Sequence, residues 1–204
     1  MEKIDFKKEL KALYSPSKKE PSSVDVPPFK FLMIDGHGDP NNSAEYQGAI
    51  SALYTLAYTI KFKVKKGPQA VDFGVNALEG LWWVPDMSLF SMEDRSSWDW
   101  TMMILQPELV TPELFSEARL EAAKKKPTAA LQQIRLEIFH EGLSAQIMYV
   151  GPYADEGPII ARLHSYIAEH GYKLSGKHHE IYLKDPNRTA PDKLLTILRQ
   201  PVKK

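Results

Sequence analysis

The chain has 204 residues, 43 % of them hydrophobic, which is enough for a sizeable core in one large domain or two small ones. Lys plus Arg and Asp plus Glu balance at 26 each, so there is no overall electrostatic footprint for nucleic acid or an acidic membrane. Cysteine is absent, which excludes disulfides, thiolate catalysis and cysteine-ligated zinc.

The opening MEKIDFKKELK lacks the apolar stretch of a signal peptide, and no apolar run is long enough to span a bilayer. The expectation is a cytoplasmic protein. Residues 2–14 predict a short helix with Phe6, Leu10 and Leu13 on one face. Ser15 to Pro28, with four prolines and four serines, predicts an extended arm. FKFLMID from Phe29 predicts a buried strand, closed by the turn Gly36-His37-Gly38-Asp39-Pro40. Asn42 or Ser43 can cap a long helix to Lys66, whose face is Tyr46, Ile50, Leu53, Ala57, Ile60 and Val64. Gly67-Pro68 ends it.

Strands are then expected at Leu78–Val84 and Trp98–Leu105, around an acidic, Ser-rich loop. Thr111-Pro112-Glu113 is a helix start, and that helix runs over 112–126 into Lys124-Lys125-Lys126, a solvated end before Pro127. Strands at Ile134–His140 and Ser144–Val150 flank a Glu141-Gly142 turn. A helix bearing Ile160, Leu163 and Ile167 follows, with Gly171 just past its end. Strands Lys177–Lys184 and Leu194–Gln200 complete the chain.

The order strand, glycine turn, helix, strand, strand thus occurs twice, over about 29–105 and about 144–200. Two such β-α-β-β modules predict an α+β fold: a pseudo-twofold antiparallel sheet with helices on one face and a ligand groove on the other. Residues 1–28 would be an N-terminal short helix and arm, and 29–204 the main domain.

In the strand KHHEIYLK, alternation puts His178, Glu180 and Tyr182 on one face and His179, Ile181 and Leu183 on the other, the natural face for a helix. A mid-strand acid there is either a solvent-facing glutamate or a half-buried carboxylate able to hold a cation or move a proton. All four tryptophans, Trp82, Trp83, Trp98 and Trp100, lie within Leu78–Pro107, just after Glu79. Burying one removes about 150–250 Å² from water, so all four should be covered by core or ligand. With Glu79 and Glu180 they suggest an aromatic box for flat, apolar or cationic ligands. Tyr46, Tyr54 and Tyr58 on the long helix, Tyr149 at a strand end and Tyr153 after the Gly-Pro turn read first as structural, though a tyrosine near the groove could donate a proton or hydrogen bond. Trp83 and Trp100 are the expected wall. The histidines show no metal-binding spacing: His178 and His179 are adjacent on a strand and point apart. There is no HExxH motif, P-loop or GxSxG elbow, and no metal or cofactor is expected.

The motifs Leu78-Glu79-Gly80-Leu81-Trp82-Trp83, Trp98-Asp99-Trp100-Thr101-Met102-Met103-Ile104-Leu105-Gln106-Pro107 and His178-His179-Glu180-Ile181-Tyr182-Leu183-Lys184-Asp185-Pro186 resemble the GyrI-like (gyrase-inhibitor-like) small-molecule-binding proteins. The resemblance covers about residues 29–203 and implies a duplicated β-α-β-β fold whose groove carries a central acid, at Glu180 here. It implies three alternatives: a stand-alone hydrolase that opens strained cyclopropanes of DNA-alkylating compounds, a binder of cationic drugs, or a gyrase partner. The 28 residues before the domain are too few for a helix-turn-helix, and the tryptophan-rich motifs favour the hydrolase branch. In that reading Glu180 activates water, Tyr149 or Tyr182 polarises a carbonyl, and Glu79, Trp83, Trp98, Trp100, Tyr54 and His178 line the ligand. Family members often carry a histidine before the Gly-Pro of Tyr149-Val150-Gly151-Pro152-Tyr153; its role would not carry over. The expected partner is a small aromatic or cationic molecule, without nucleic acid or membrane.

Overall fold

The computed structural model describes residues 3–68, 70–90 and 94–204. In chain order the elements are β1 (Lys3–Ile4), α1 (Phe6–Glu9), α2 (Lys11–Tyr14), β2 (Ser22–Val26), β3 (Phe29–His37), α3 (Ala44–Lys66), β4 (Asp72–Phe73), β5 (Leu78–Trp83) and β6 (Asp99–Gln106). There follow α4 (Pro112–Lys125), α5 (Ala129–Gln133), β7 (Arg135–Phe139), β8 (Gly142–Val150), α6 (Gly157–Glu169), β9 (Lys173–Leu174), β10 (His178–Tyr182) and β11 (Leu195–Lys203).

Local chemistry sets the helix ends. The Ser43 hydroxyl accepts the Tyr46 N–H at 3.1 Å to start α3, and Thr111 accepts the Leu114 N–H at 3.2 Å to start α4 behind Pro112. Past α6, Gly171 takes φ +74°, a left-handed turn that glycine adopts without steric cost. The N-terminal helix is shorter than periodicity suggests. Leu10 leaves helical geometry and splits it into α1 and α2. Its expected start at residue 2 lies outside the described residues.

The large sheet runs β2-β8-β11-β10-β5-β6-β3-β7, all antiparallel, with β9 added beside β11. Each predicted module supplies three neighbouring strands, β3-β6-β5 and β8-β11-β10, and the β5–β10 pair joins them. The pseudo-twofold therefore passes between β5 and β10. The expected arm contributes an element that the proline count concealed: Ser22–Val26 pairs with β8 as an edge strand. Its prolines, at 16, 21, 27 and 28, flank this run without interrupting it.

Partner residues across an antiparallel ladder share a face. One row reads Ile147, Leu198, Glu180, Gly80, Met102, Ile34. Ile34 and Met102 pack with α3, through Leu53, Leu56 and Ile60, and Ile147 and Leu198 pack with α6, through Leu163 and Ile167. Both module helices, α3 and α6, thus lie on the face that carries Glu180. The sequence expectation placed helices and groove on opposite faces; instead, the far face is occupied. Leu13, Tyr14, Val26, Phe31, Leu81, Met103, Ile181 and Ile197 form a second apolar layer there, covered by the N-terminal turns. Alternation fixes which residues share a face but not which face meets a long helix.

Candidate functional site

Glu180 sits mid-row between α3 and α6, next to the join of the two modules. It is 6 % exposed. The Tyr182 hydroxyl donates to its Oε2 at 2.8 Å, and Trp82 Nε1 donates to the Tyr182 hydroxyl at 3.1 Å. Gly80, directly across the ladder, makes this relay possible. A Cβ there would stand 2.9 Å from Trp82 Nε1 and 3.2 Å from Met102 Sδ, so only a bare backbone lets the indole lie over it. Burial, then the charge of Glu180, pushes the Tyr182 phenol well above its ordinary range, which keeps it a donor.

Aromatic rings extend from this point in one direction. Tyr46 meets Trp82 at 6.0 Å and Trp100 edge-on at 5.3 Å. Trp82 meets Trp98 at 5.4 Å, Trp98 stacks on Phe90 at 4.8 Å, and Phe90 approaches His178 at 6.3 Å. His178 Nε2 is 3.4 Å from Glu180 Oε1 but without hydrogen-bond geometry. On the other side, Tyr153 meets Tyr182 edge-on at 5.5 Å. Burial, then Glu156 and Glu180, raises the Tyr153 phenol to about 12.

A cavity of about 400 Å³ opens beside this chain of rings, within the size range of small-molecule sites. Met87 and Phe90, Ile160 and His164 of α6, and His178 of β10 are among its walls. Its polar lining is incompletely paired: the Nε2 atoms of His164 and His178 are buried without a hydrogen-bond partner. Burial, then His178, lowers the pKa of His164, favouring a neutral imidazole.

The sequence candidates divide between the two faces. Glu180, Tyr182, His178, Trp82 and Trp98 meet around the seam, with Tyr54 packed at its α3 side. Tyr149 lies on the same face, two strands from Tyr182, but its hydroxyl donates to the Pro152 carbonyl at 2.9 Å. Trp100, expected as wall, is fully buried core behind Tyr46 and directly beneath Gly36. Trp83, also expected as wall, points to the other face, where Lys177 Nζ stands 3.2 Å from its ring centre. Strand alternation accounts for this: Trp82 and Trp83 must diverge, and β10 pairs Trp82 with His178.

Glu79 likewise points away from Glu180, as the partner of Ile181. It anchors a buried network on the far face. The Tyr14 hydroxyl donates to Glu79 at 2.7 Å, and His179 bridges Glu79 at 3.0 Å and Glu141 at 2.9 Å. Arg199 donates to Glu141 at 3.1 Å, to Gln146 at 3.0 Å and to the Leu13 carbonyl at 2.7 Å. Burial alone would lower the pKa of His179, but Glu141 and Glu79 raise it to about 9. Burial would raise that of Glu141, but His179 and Arg199 hold it at about 2. Two acids and two cations are therefore paired with their hydrogen bonds satisfied, and the space they leave is only about 10 Å³. This network ties the N-terminal turns to the sheet through Tyr14 and the Leu13 carbonyl.

Sequence reasoning missed Glu156, Tyr46's contact with Trp82, and His164. The signal for His164 was available: Ile160 and His164 are four apart on α6, one face of a helix that the sequence did predict. Glu156 precedes that helix inside a turn, where an acid ordinarily reads as a dipole partner.

The duplicated sheet, with an aromatic seam closed over a buried carboxylate and a cavity beside it, defines a small-molecule-binding domain. The family model of the GyrI-like small molecule binding domain matches residues 19–203, and the chain belongs to that family. No functionally curated protein matches it. Three crystal structures from Listeria innocua are similar over nearly the whole chain. An uncharacterized conserved protein is 42 % identical, with TM-score 0.91, covering 98 % of this chain and 100 % of its own. Two structures described as hydrolases are 41 % and 40 % identical, with TM-scores 0.88 and 0.86, covering 99 % and 98 % of this chain and 100 % of their own. Among the described residues, no helix is long and apolar enough to cross a membrane, and no group of three or more acids or histidines could hold a metal.

Proposed function

We propose that the protein is a hydrolase that opens strained, cyclopropane-bearing electrophiles of the DNA-alkylating type by adding water, a detoxifying reaction. The observation that carries this reading is the buried Glu180 carboxylate, fixed by Tyr182 at 2.8 Å and bordered by His178, which also lines the cavity. A carboxylate so placed is a general base for water, and the rings of Trp82, Trp98 and Phe90 offer a flat surface for an apolar conjugated ligand. Tyr182 positions Glu180. Tyr149 does not fit the part of carbonyl donor as it stands, since its hydroxyl is held by Pro152. Two relatives at about 40 % identity described as hydrolases support an enzyme of this general class. The test is mass spectrometry of a cyclopropane-fused cyclohexadienone incubated with wild type and with Glu180→Gln. The reading expects a gain of one water with wild type only.

A second reading is favoured by the same rings. A buried carboxylate flanked by Tyr46, Trp82, Tyr153 and Tyr182 also suits a lipophilic cation. Ligand returned unchanged, with saturable tryptophan quenching, would select this binding role over catalysis.

A further inference from the structure

The hydrolytic reading leaves one demand unmet. As the ring opens, negative charge builds on the conjugated carbonyl oxygen, and a proton donor is needed there. A second buried carboxyl group lies near enough to Glu180 to feel its charge. Glu156, immediately before α6, is 1 % exposed, and its Oε1 is buried without a hydrogen-bond partner. The two walls of the cavity lead to the two acids in step. Glu156, the helical-geometry cap of α6, and Ile160 and His164 on α6 recur every four residues and share a face. On β10, His178 and Glu180 are two apart and share a face. One helical step of four residues is about 6 Å, and two strand residues are about 7 Å. Both walls therefore carry a carboxyl group one step beyond their cavity-lining residues.

We propose that Glu156 is the general acid of this site, holding the proton that a bound ligand's carbonyl oxygen receives while Glu180 takes a proton from water. The proposal rests on the hydrolytic reading and deepens it. The groups that act electrostatically on Glu156 are Glu180 and Tyr182 on β10, Tyr149 on β8, Tyr153 on its own turn, the Thr196 hydroxyl on β11, and Arg95 from the segment before β6. Burial first, and then the Glu180 charge, raises its pKa to about 9, against the opposing influence of Thr196 and Arg95. At neutral pH Glu156 thus carries the proton.

The step balances. The water oxygen bonds to the cyclopropane methylene as a water proton passes to Glu180. The strained C–C bond breaks, its electron pair moves through the conjugated system to the carbonyl oxygen, and Glu156 protonates that oxygen. The product is a phenol bearing a hydroxymethyl-type arm, the substrate plus one water. Exchange with solvent after release returns the proton from Glu180 to Glu156.

Two measurements test this. The first needs no substrate: infrared difference spectra over a pH series for wild type, Glu156→Gln and Glu180→Gln. A protonated carboxyl band that persists at neutral pH, is absent in Glu156→Gln, and in Glu180→Gln titrates at lower pH, is the expected result. No such band, or one untouched by Glu156→Gln, overturns the proposal. The second is the pH dependence of kcat/KM for the cyclohexadienone. Glu156→Gln should lose about 10²-fold or more and with it the alkaline limb near pH 9. Activity within about threefold of wild type, with the alkaline limb in place, overturns it. If wild type gives no turnover, the hydrolytic reading fails by itself. Glu156 then stands or falls on whether binding of the dienone weakens above pH 9 in wild type but not in Glu156→Gln.

Discussion

Replacing His179 by Gln removes the cation between Glu79 and Glu141, and the consequence for stability depends on pH in a defined direction. The imidazole is fully buried, donates on both sides, and is raised from 6.5 to about 9. At about 1.4 kcal/mol for each pH unit, that displacement contributes about 3 kcal/mol to folding. The folded value lies above the unfolded one. The contribution is therefore complete below pH 6.5, declines as pH rises from 6.5 to about 9, and is gone above that. His179→Gln should be less stable than wild type by about 3–5 kcal/mol on the acid side of this window, since it leaves two buried carboxylates with Arg199 as their one cation. Urea unfolding from about pH 6 to about pH 10 is the assay. Glu156, also raised to about 9, loses stability over the same window in both proteins, so wild type should lose about 3 kcal/mol more than the variant between about pH 6 and about pH 10. Parallel profiles for wild type and His179→Gln, with no difference in the size of the step, would refute the reasoning.

Tyr182→Phe deletes the donor to a buried carboxylate and the acceptor for Trp82, so it should cost about 2–4 kcal/mol, measurable by urea unfolding. Gly80→Ala should displace the Trp82 indole, costing about 1–3 kcal/mol and altering the near-ultraviolet dichroism of the tryptophans; unchanged dichroism would contradict the close approach. For a ligand in the seam, Trp82→Phe should remove most of the fluorescence quenching and Trp83→Phe little, because Trp83 lies on the other face. Glu141→Gln should remove an acid-side step. Glu141 is depressed to about 2, so its contribution is present above 4.5 and is lost as pH falls towards 2.

The duplicated strand order, the caps at Ser43 and Thr111, and the face shared by His178, Glu180 and Tyr182 were all legible, because each depends on neighbours in sequence. What eluded the sequence depends on which layer covers which face. Glu79 and Glu180 look equivalent in pattern, each a mid-strand acid between apolar residues. The ladder sets them on opposite sides: one in a closed ionic network under Tyr14, the other in the seam between α3 and α6. The tryptophans follow the same rule. Trp83 and Trp100 were expected at the wall, but the pairing of Trp82 with His178 brings Trp82 to the seam, turns Trp83 to the other face and leaves Trp100 behind Tyr46. Glu156 escaped notice because it stands in the turn one step ahead of the helix whose apolar face the sequence marks out. Its environment comes from β10 and β11, far along the chain.

The most direct test of the account is a single-turnover incubation of the cyclopropane-fused dienone with wild type and with Glu180→Gln in heavy-oxygen water, read by mass spectrometry. The account predicts a ring-opened product carrying one heavy oxygen on the former methylene with wild type, and unreacted dienone with the variant. Dienone recovered intact from both, or product formed equally by both, would contradict a hydrolase built around Glu180.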